Sequence, residues 1–133
     1  MSLIEICSRQ KAPEVFEGKP YGKGADVFSY GVLLYEMLNF KYAFTFKNLQ
    51  DYKDIIIRNK YRPPIEGAVA ARPKDLIKET WDQDPKKRTN FDRISIIMKL
   101  EYNDSTSELE SRSERLSNIT MKSIRLRRKS SRP

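Results

Sequence analysis

One continuous apolar segment, residues 26–39, most constrains what this chain can fold into. Its apolar side chains fall on nearly every face of a helix, and Glu36 is the only charged residue after Asp26. This pattern predicts a helix that is buried all round. Asp26 precedes the apolar run and suits an N-cap, whose side-chain oxygen accepts a free backbone N–H. Gly31 in mid-helix costs about 1 kcal/mol relative to alanine, which indicates close packing against a neighbour.

Three further helices are predicted downstream, over residues 48–58, 73–81 and 90–100. Each has apolar residues spaced for one helical face. Two consecutive prolines, Pro63 and Pro64, end the first of them, since neither can donate to a helix. No alternating strand pattern is longer than four residues. The sequence therefore predicts an all-α fold of four helices with irregular links.

Residue types that are rare or absent exclude several function classes. The chain has no histidine and a single cysteine, Cys7. Ser–His and Cys–His nucleophilic pairs and histidine metal sites are thus excluded. An internal disulfide is also excluded, which favours an intracellular, most simply cytoplasmic, setting. We expect no signal peptide and no membrane span, because no apolar run approaches roughly 18 residues.

The composition changes after Tyr102. Seven basic and no acidic residues lie at positions 115–133, so all but one of the eight net positive charges of the chain belong there. Serine-rich, basic sequence with few large apolar residues is typical of disorder. The predicted organisation is a folded domain over residues 1–102 and a disordered tail over residues 103–133.

The predicted tail offers weak functional signals. Ser130 and Ser131 follow a run of basic residues, so they are candidate phosphoacceptors. An acidic partner is the expected ligand of the basic charge, although such runs are most often solvated tails or localisation signals. The tail lacks aromatic residues for stacking on single-stranded nucleic acid. Its large apolar residues form no clean helical stripe for membrane insertion; they are Leu109, Leu116, Ile119, Ile124 and Leu126.

Four sequence blocks, in order between Ala12 and about Leu100, carry a family resemblance. They are Ala12-Pro13-Glu14, Asp26-Val27-Phe28-Ser29-Tyr30-Gly31, Tyr61-Arg62-Pro63-Pro64 and Trp81-Asp82-Gln83-Asp84-Pro85-Lys86-Lys87-Arg88. Together they resemble the C-terminal part of the large lobe of a protein kinase catalytic domain, nearest the tyrosine-kinase-like group. The resemblance implies a four-helix remnant of that lobe.

The resemblance also implies roles for individual residues. Glu14 corresponds to a glutamate that pairs with an arginine at the position of Arg88, and such groups can form a bidentate bond. Asp26 matches an aspartate that receives backbone N–H groups of the catalytic loop, with N-capping as the alternative. Trp81 matches a core tryptophan. Phe28 replaces a tryptophan often found in the central helix, and the residues before Ala12 depart from the family pattern.

No residue of the chain matches the glycine-rich loop, the phosphate-pairing lysine, the catalytic-loop aspartate or the magnesium-binding aspartate of the family. We therefore expect no catalytic, cofactor-binding or metal-binding residue, although ATP and Mg²⁺ serve the parent family. One hypothesis is a truncated, inactive kinase domain whose partner is the missing kinase half. The alternative is a pseudokinase-like interaction module with a basic tail. A weaker third hypothesis is a nucleic-acid or membrane-surface binder driven by the tail.

Overall fold

The computed structural model describes the backbone of residues 9–130 and the side chains of residues 9–127, which contain five α-helices and no strand. A π-helix, Lys53–Arg58, continues the third helix, and a 3-10 turn, Pro85–Lys87, precedes the last. The predicted all-α fold class is confirmed. The helices are α1 (Pro13–Phe16), α2 (Lys23–Asn39), α3 (Leu49–Tyr52), α4 (Ala71–Thr80) and α5 (Phe91–Ser130).

The central helix α2 begins three residues earlier than predicted. Gly22 has an extended backbone and occupies the N-cap, so Asp26 lies inside the first turn and does not cap the helix. The prediction of an Asp26 N-cap is therefore wrong. Extension toward the N-terminus has a physical reason, because it brings Ala25 into the core, where it is 7% exposed.

One side of α2 is buried and the other is not, so the prediction of a helix buried all round holds for one side only. Phe28, Val32 and Tyr35 are fully buried. Gly31 lies against α4, where an added Cβ would be 1.9 Å from Thr80 Oγ1. The close packing predicted at Gly31 is confirmed, and it lets α2 and α4 approach closely at this point.

The other two predicted helices of the domain lie close to their expected bounds. Asn48 caps α3, with its side-chain oxygen accepting from the backbone N–H groups of Gln50 and Asp51 at 2.9 Å each. α4 begins two residues before Pro73, which stays in the first turn. Tyr52, Ile56, Leu76 and Ile77 complete the core.

The chain divides into two compact units, Met1–Ile97 and Met98–Pro133. α5 begins within one residue of the predicted fourth helix but continues through Ser130. The predicted disordered tail is therefore wrong for residues 103–130, and residues 131–133, which include Ser131, lie outside the described part. A physical reason is that no glycine or proline lies between Phe91 and Ser130. The Oγ1 atoms of Thr106 and Thr120 also donate to carbonyls one turn back, at 2.8 and 3.0 Å.

Candidate functional site

An ion pair between Glu14 on α1 and Arg88, just before α5, joins the two ends of the first unit. Arg88 Nη1 donates to Glu14 Oε1 at 2.7 Å, and Nη2 donates to Oε2 at 2.9 Å. The Glu14 side chain is 8% exposed and the Arg88 side chain is 0% exposed. Arg88 also donates to the carbonyls of Gly24 and Asp82, each at 2.8 Å. The predicted bidentate contact is present, and the guanidinium ties α1, the start of α2 and the turn before α5 together.

The charge of Glu14 depends on this environment. Burial acts to raise the pKa of its carboxyl, but the hydrogen bonds from Arg88, a backbone hydrogen bond and the positive charge of Arg88 outweigh that effect. The pKa of Glu14 is therefore lowered. A carboxylate that accepts two charge-assisted hydrogen bonds stays ionised at neutral pH.

Two guanidinium groups lie near the ring of Phe28 on α2. Arg88 Cζ is 5.0 Å from the centre of its ring and Arg62 Cζ is 5.2 Å away. Cations at such distances are attracted to the face of an aromatic ring. Phe28, which replaces the tryptophan often found here, thus contacts the turn before α5 and the loop after the π-helix.

Arg62 belongs to the Tyr61-Arg62-Pro63-Pro64 block, and sequence reasoning assigned it no role. Its Nε donates to the carbonyl of Trp81 at 2.8 Å, and Nη2 donates to Gln83 Oε1 at 3.0 Å. Burial lowers the pKa of Arg62 to about 10. One sequence signal could have marked Arg62 as structural: it lies directly before two prolines in a loop, where an arginine can donate to backbone carbonyls.

The segment before α1 is anchored although its sequence departs from the family pattern. The Gln10 carbonyl accepts from Ser29 Oγ at 2.7 Å, and the Lys11 carbonyl accepts from the Tyr52 hydroxyl. The rings of Phe16 and Tyr52 stack with centroids 4.0 Å apart. Burial raises the pKa of Tyr52, so its hydroxyl stays a donor at neutral pH.

A stripe along α2 is left uncovered. Leu33 is 44% exposed, Met37 is 63% exposed, and Phe40 at the end of the helix is 96% exposed. Asp26, also exposed, lies seven residues before Leu33 and therefore on the same side. We call these four residues the uncovered face of α2. It combines one carboxylate at the N-terminal end with apolar side chains along the rest.

The sequence-predicted residues thus separate into two groups. The motif residues of the core lie together around α2 and the ion pair; they are Ala12, Pro13, Glu14, Gly31, Trp81 and Arg88. Trp81 is 5% exposed and its ring lies 5.4 Å from that of Tyr35. Asp26 faces away from them. Ser130 ends α5, its side chain is not described, and Ser131 and Cys7 lie outside the described residues.

Within the described part of the chain, no group of three or more acidic or cysteine side chains is arranged to hold a metal ion. The described helices also include none that is long and apolar enough to cross a bilayer.

The family model for the protein kinase domain matches residues 5–103 of this chain. The chain belongs to the protein kinase family. The match includes the Ala12-Pro13-Glu14 block, all of α2 and the Glu14–Arg88 pair. The match ends at residue 103 and so includes the first six residues of the second unit.

Several curated proteins are similar over the same region. A probable serine/threonine-protein kinase of Dictyostelium discoideum is 37% identical over 94 residues, which cover 68% of this chain and 10% of that protein. The dual specificity protein kinase shkE of Dictyostelium discoideum is 36% identical over 85 residues, covering 63% and 12%. A serine/threonine-protein kinase of Arabidopsis thaliana is 35% identical over 86 residues, covering 65% and 15%. The matched region is thus a small part of each relative.

Proposed function

We propose that these 133 residues supply the C-terminal part of a kinase large lobe and do not transfer phosphate by themselves. The observation that carries the proposal is the buried Glu14–Arg88 pair. This pair joins the Ala-Pro-Glu block to the turn before α5, as the family resemblance implies. The parent reaction would move phosphate from ATP to protein side chains, with ATP and Mg²⁺ bound by residues that have no counterpart here.

The proposed inactivity follows from what phosphoryl transfer requires. The reaction depends almost wholly on positioning the nucleotide and stabilising charge on the transferred group. In the family those tasks belong to the glycine-rich loop, its lysine, the catalytic loop and the metal-binding aspartate, all of which precede the Ala-Pro-Glu block. The ion pair and the core of α2 can position such elements but cannot replace them.

The uncovered face of α2 is the proposed contact for those preceding elements. Asp26 matches the family aspartate that receives catalytic-loop amides, and it lies exposed at one end of the face. Leu33 and Met37 continue the same side as an apolar surface. A face of one carboxylate followed by apolar side chains suits a segment with free N–H groups at one end and apolar residues beyond.

We further propose that the parent enzyme is an intracellular kinase of the tyrosine-kinase-like group. The similar proteins are described as serine/threonine and dual-specificity kinases. This supports serine and threonine as acceptors, with tyrosine as an additional one.

A second candidate function is a non-catalytic interaction module. The observation that favours it is the same exposed surface, since Phe40 and Met37 are largely accessible and such side chains often mark docking sites. In that case the protein that covers the face is a separate partner with an apolar surface, and no phosphoryl transfer is restored by any kinase segment.

A chimeric catalytic domain distinguishes the two candidates. The upstream part of the shkE kinase domain, ending just before its Ala-Pro-Glu block, is fused to residues 12–133 of this chain. We expect the fusion to phosphorylate a protein substrate and the 133-residue chain to show no activity. Asp26→Asn in the fusion should lower the rate, and Glu17→Gln, at a partly exposed position off this face, is the control. A folded but inactive fusion would favour the interaction module.

A further inference from the structure

The described part of the second unit is a helix whose large apolar side chains, from Tyr102 onward, face solvent. In residues 102–127 every side chain except that of Thr106 is exposed. Leu109, Leu116 and Ile119 are each 65% exposed, and Leu126 is 61% exposed. Helices in water draw most of their stability from packing an apolar face against another element. We therefore expect another helix to pack on the exposed apolar side chains of this segment.

Four of these residues share one face of α5. Leu109, Leu116, Ile119 and Leu126 are separated by seven, three and seven residues, which is the spacing of a coiled-coil seam. Tyr102, seven residues before Leu109, extends the series. We call these five residues the heptad face. Of the five apolar residues named in the sequence analysis, Ile124 alone lies off this face, so the five together form no clean stripe while four of them form a seam.

Charge along the same helix is divided into two halves. Residues 101–114 contain five acidic residues and one arginine, whereas residues 115–127 contain four basic residues and no acidic one. The first half therefore carries −4 and the second +4. The helix dipole does not account for this division, because its effect falls off within the terminal turns and the acidic half starts ten residues into α5.

We propose that residues 98–130 pair antiparallel with the same segment of a second copy of this chain. In this register Leu109 lies opposite Ile119 of the second copy, and Tyr102 lies opposite Leu126. Two-fold symmetry repeats each of these layers. Leu116 lies opposite Arg112 of the second copy, whose aliphatic stem can cover it while the guanidinium reaches solvent.

Charge complementarity selects the antiparallel orientation and a second copy as the occupant. Antiparallel pairing sets each acidic half beside a basic half, and Glu108 then flanks the seam beside Lys122 of the second copy. Parallel pairing would set +4 against +4 and −4 against −4 along the whole length. A self-complementary surface of this kind is what an isologous dimer requires.

Sedimentation equilibrium of the full chain over a concentration series tests the pairing. We expect a monomer–dimer equilibrium. Ile119→Glu should weaken it by about tenfold or more, because it places a carboxylate opposite Leu109 and beside the acidic half of the second copy. Met121→Glu is the matched control: Met121 is 54% exposed on the opposite side of the helix and should leave the dimer unchanged. Met37→Glu, on the uncovered face of α2, removes any association through the first unit.

Disulfide trapping tests the orientation. With Cys7 changed to serine, one chain carries Leu109→Cys and another carries Ile119→Cys. A disulfide needs Cα atoms about 4.4–6.8 Å apart. The antiparallel pair should therefore cross-link only when the two chains are mixed, whereas a parallel pair would cross-link each chain with itself.

Three results would overturn the proposal. One is a chain that stays monomeric, whether or not it binds anionic vesicles through its basic half. Another is a dimer that Met37→Glu abolishes and Ile119→Glu does not. The third is self-cross-linking of the Leu109→Cys chain, which would show parallel pairing.

Discussion

Replacing Gly31 with alanine puts a methyl group where Thr80 already lies. The new Cβ would be 1.9 Å from Thr80 Oγ1 and 2.7 Å from Thr80 Cβ. Thr80 is fully buried, and its hydroxyl donates to the Ile77 carbonyl at 2.7 Å. The threonine therefore has no empty space to enter, and α2 and α4 must move apart.

Two effects of opposite sign decide how much stability Gly31→Ala loses. Overpacking a core typically costs about 1–3 kcal/mol, and a contact this short belongs at the upper end. Alanine recovers about 1 kcal/mol of helix propensity relative to glycine. We expect a net loss of about 2 kcal/mol in the free energy of unfolding. For a unit of this size that corresponds to a fall in Tm of about 8–16 °C.

Urea unfolding in two backgrounds tests the cause of the loss. Thr80→Ala should relieve the clash only in part, since it removes Oγ1 but keeps Cβ, whereas Thr80→Gly removes both close atoms. In the Thr80→Gly background, Gly31→Ala should therefore be neutral or stabilising. Gly22→Ala is the control, because an added Cβ meets nothing within 4 Å there. An equal loss from Gly31→Ala in both backgrounds would refute the close-packing argument.

Three further predictions concern the ion pair, the aromatic contact and the uncovered face of α2. Glu14→Gln should cost up to about 3–5 kcal/mol at pH 7, because Arg88 stays buried without a counter-charge. Since the pKa of Glu14 is lowered on folding, this stabilisation is present above its ordinary value of 4.5 and is lost as the pH falls through the folded-state pKa. A pH-independent difference in urea unfolding would contradict it. Phe28→Leu should lose about 1–2 kcal/mol by removing two guanidinium–ring contacts, and unchanged stability would tell against them. Met37→Glu should reduce light scattering while shifting unfolding by no more than about 0.5 kcal/mol, and increased scattering would count against an uncovered apolar face.

The sequence was most informative where a local cost marked a long-range contact. A glycine in the middle of an apolar helix is unfavourable by itself, so Gly31 predicted a close neighbour. Its partner Thr80 could not be predicted, because the crossing of two helices is set by all of their packed side chains. The Glu14–Arg88 pair could be predicted only through the family resemblance, since 74 residues separate its members.

The prediction of a disordered tail rested on composition, and the local sequence pattern was the better guide to its helix. The tail is rich in serine and basic residues, but it contains no helix breaker over residues 91–130. Its spacing of Leu109, Leu116 and Ile119 carries more information than its average hydrophobicity. The partners of Arg62 could not be predicted for a different reason: the Trp81 carbonyl and Gln83 Oε1 lie 19 and 21 residues along the chain, and only the fold brings them to the guanidinium.

Isothermal titration calorimetry of the 133-residue chain with ATP and Mg²⁺ tests most directly the claim that this part of a kinase lobe is inactive alone. In the proposed function the chain supplies the scaffold around α2 and the Glu14–Arg88 pair, and the nucleotide-positioning groups of the family come from elsewhere. We predict no heat of binding above dilution. The shkE fusion described above should bind under the same conditions. Saturable binding of Mg-ATP by the chain alone at micromolar affinity, about −8 kcal/mol, would contradict the account.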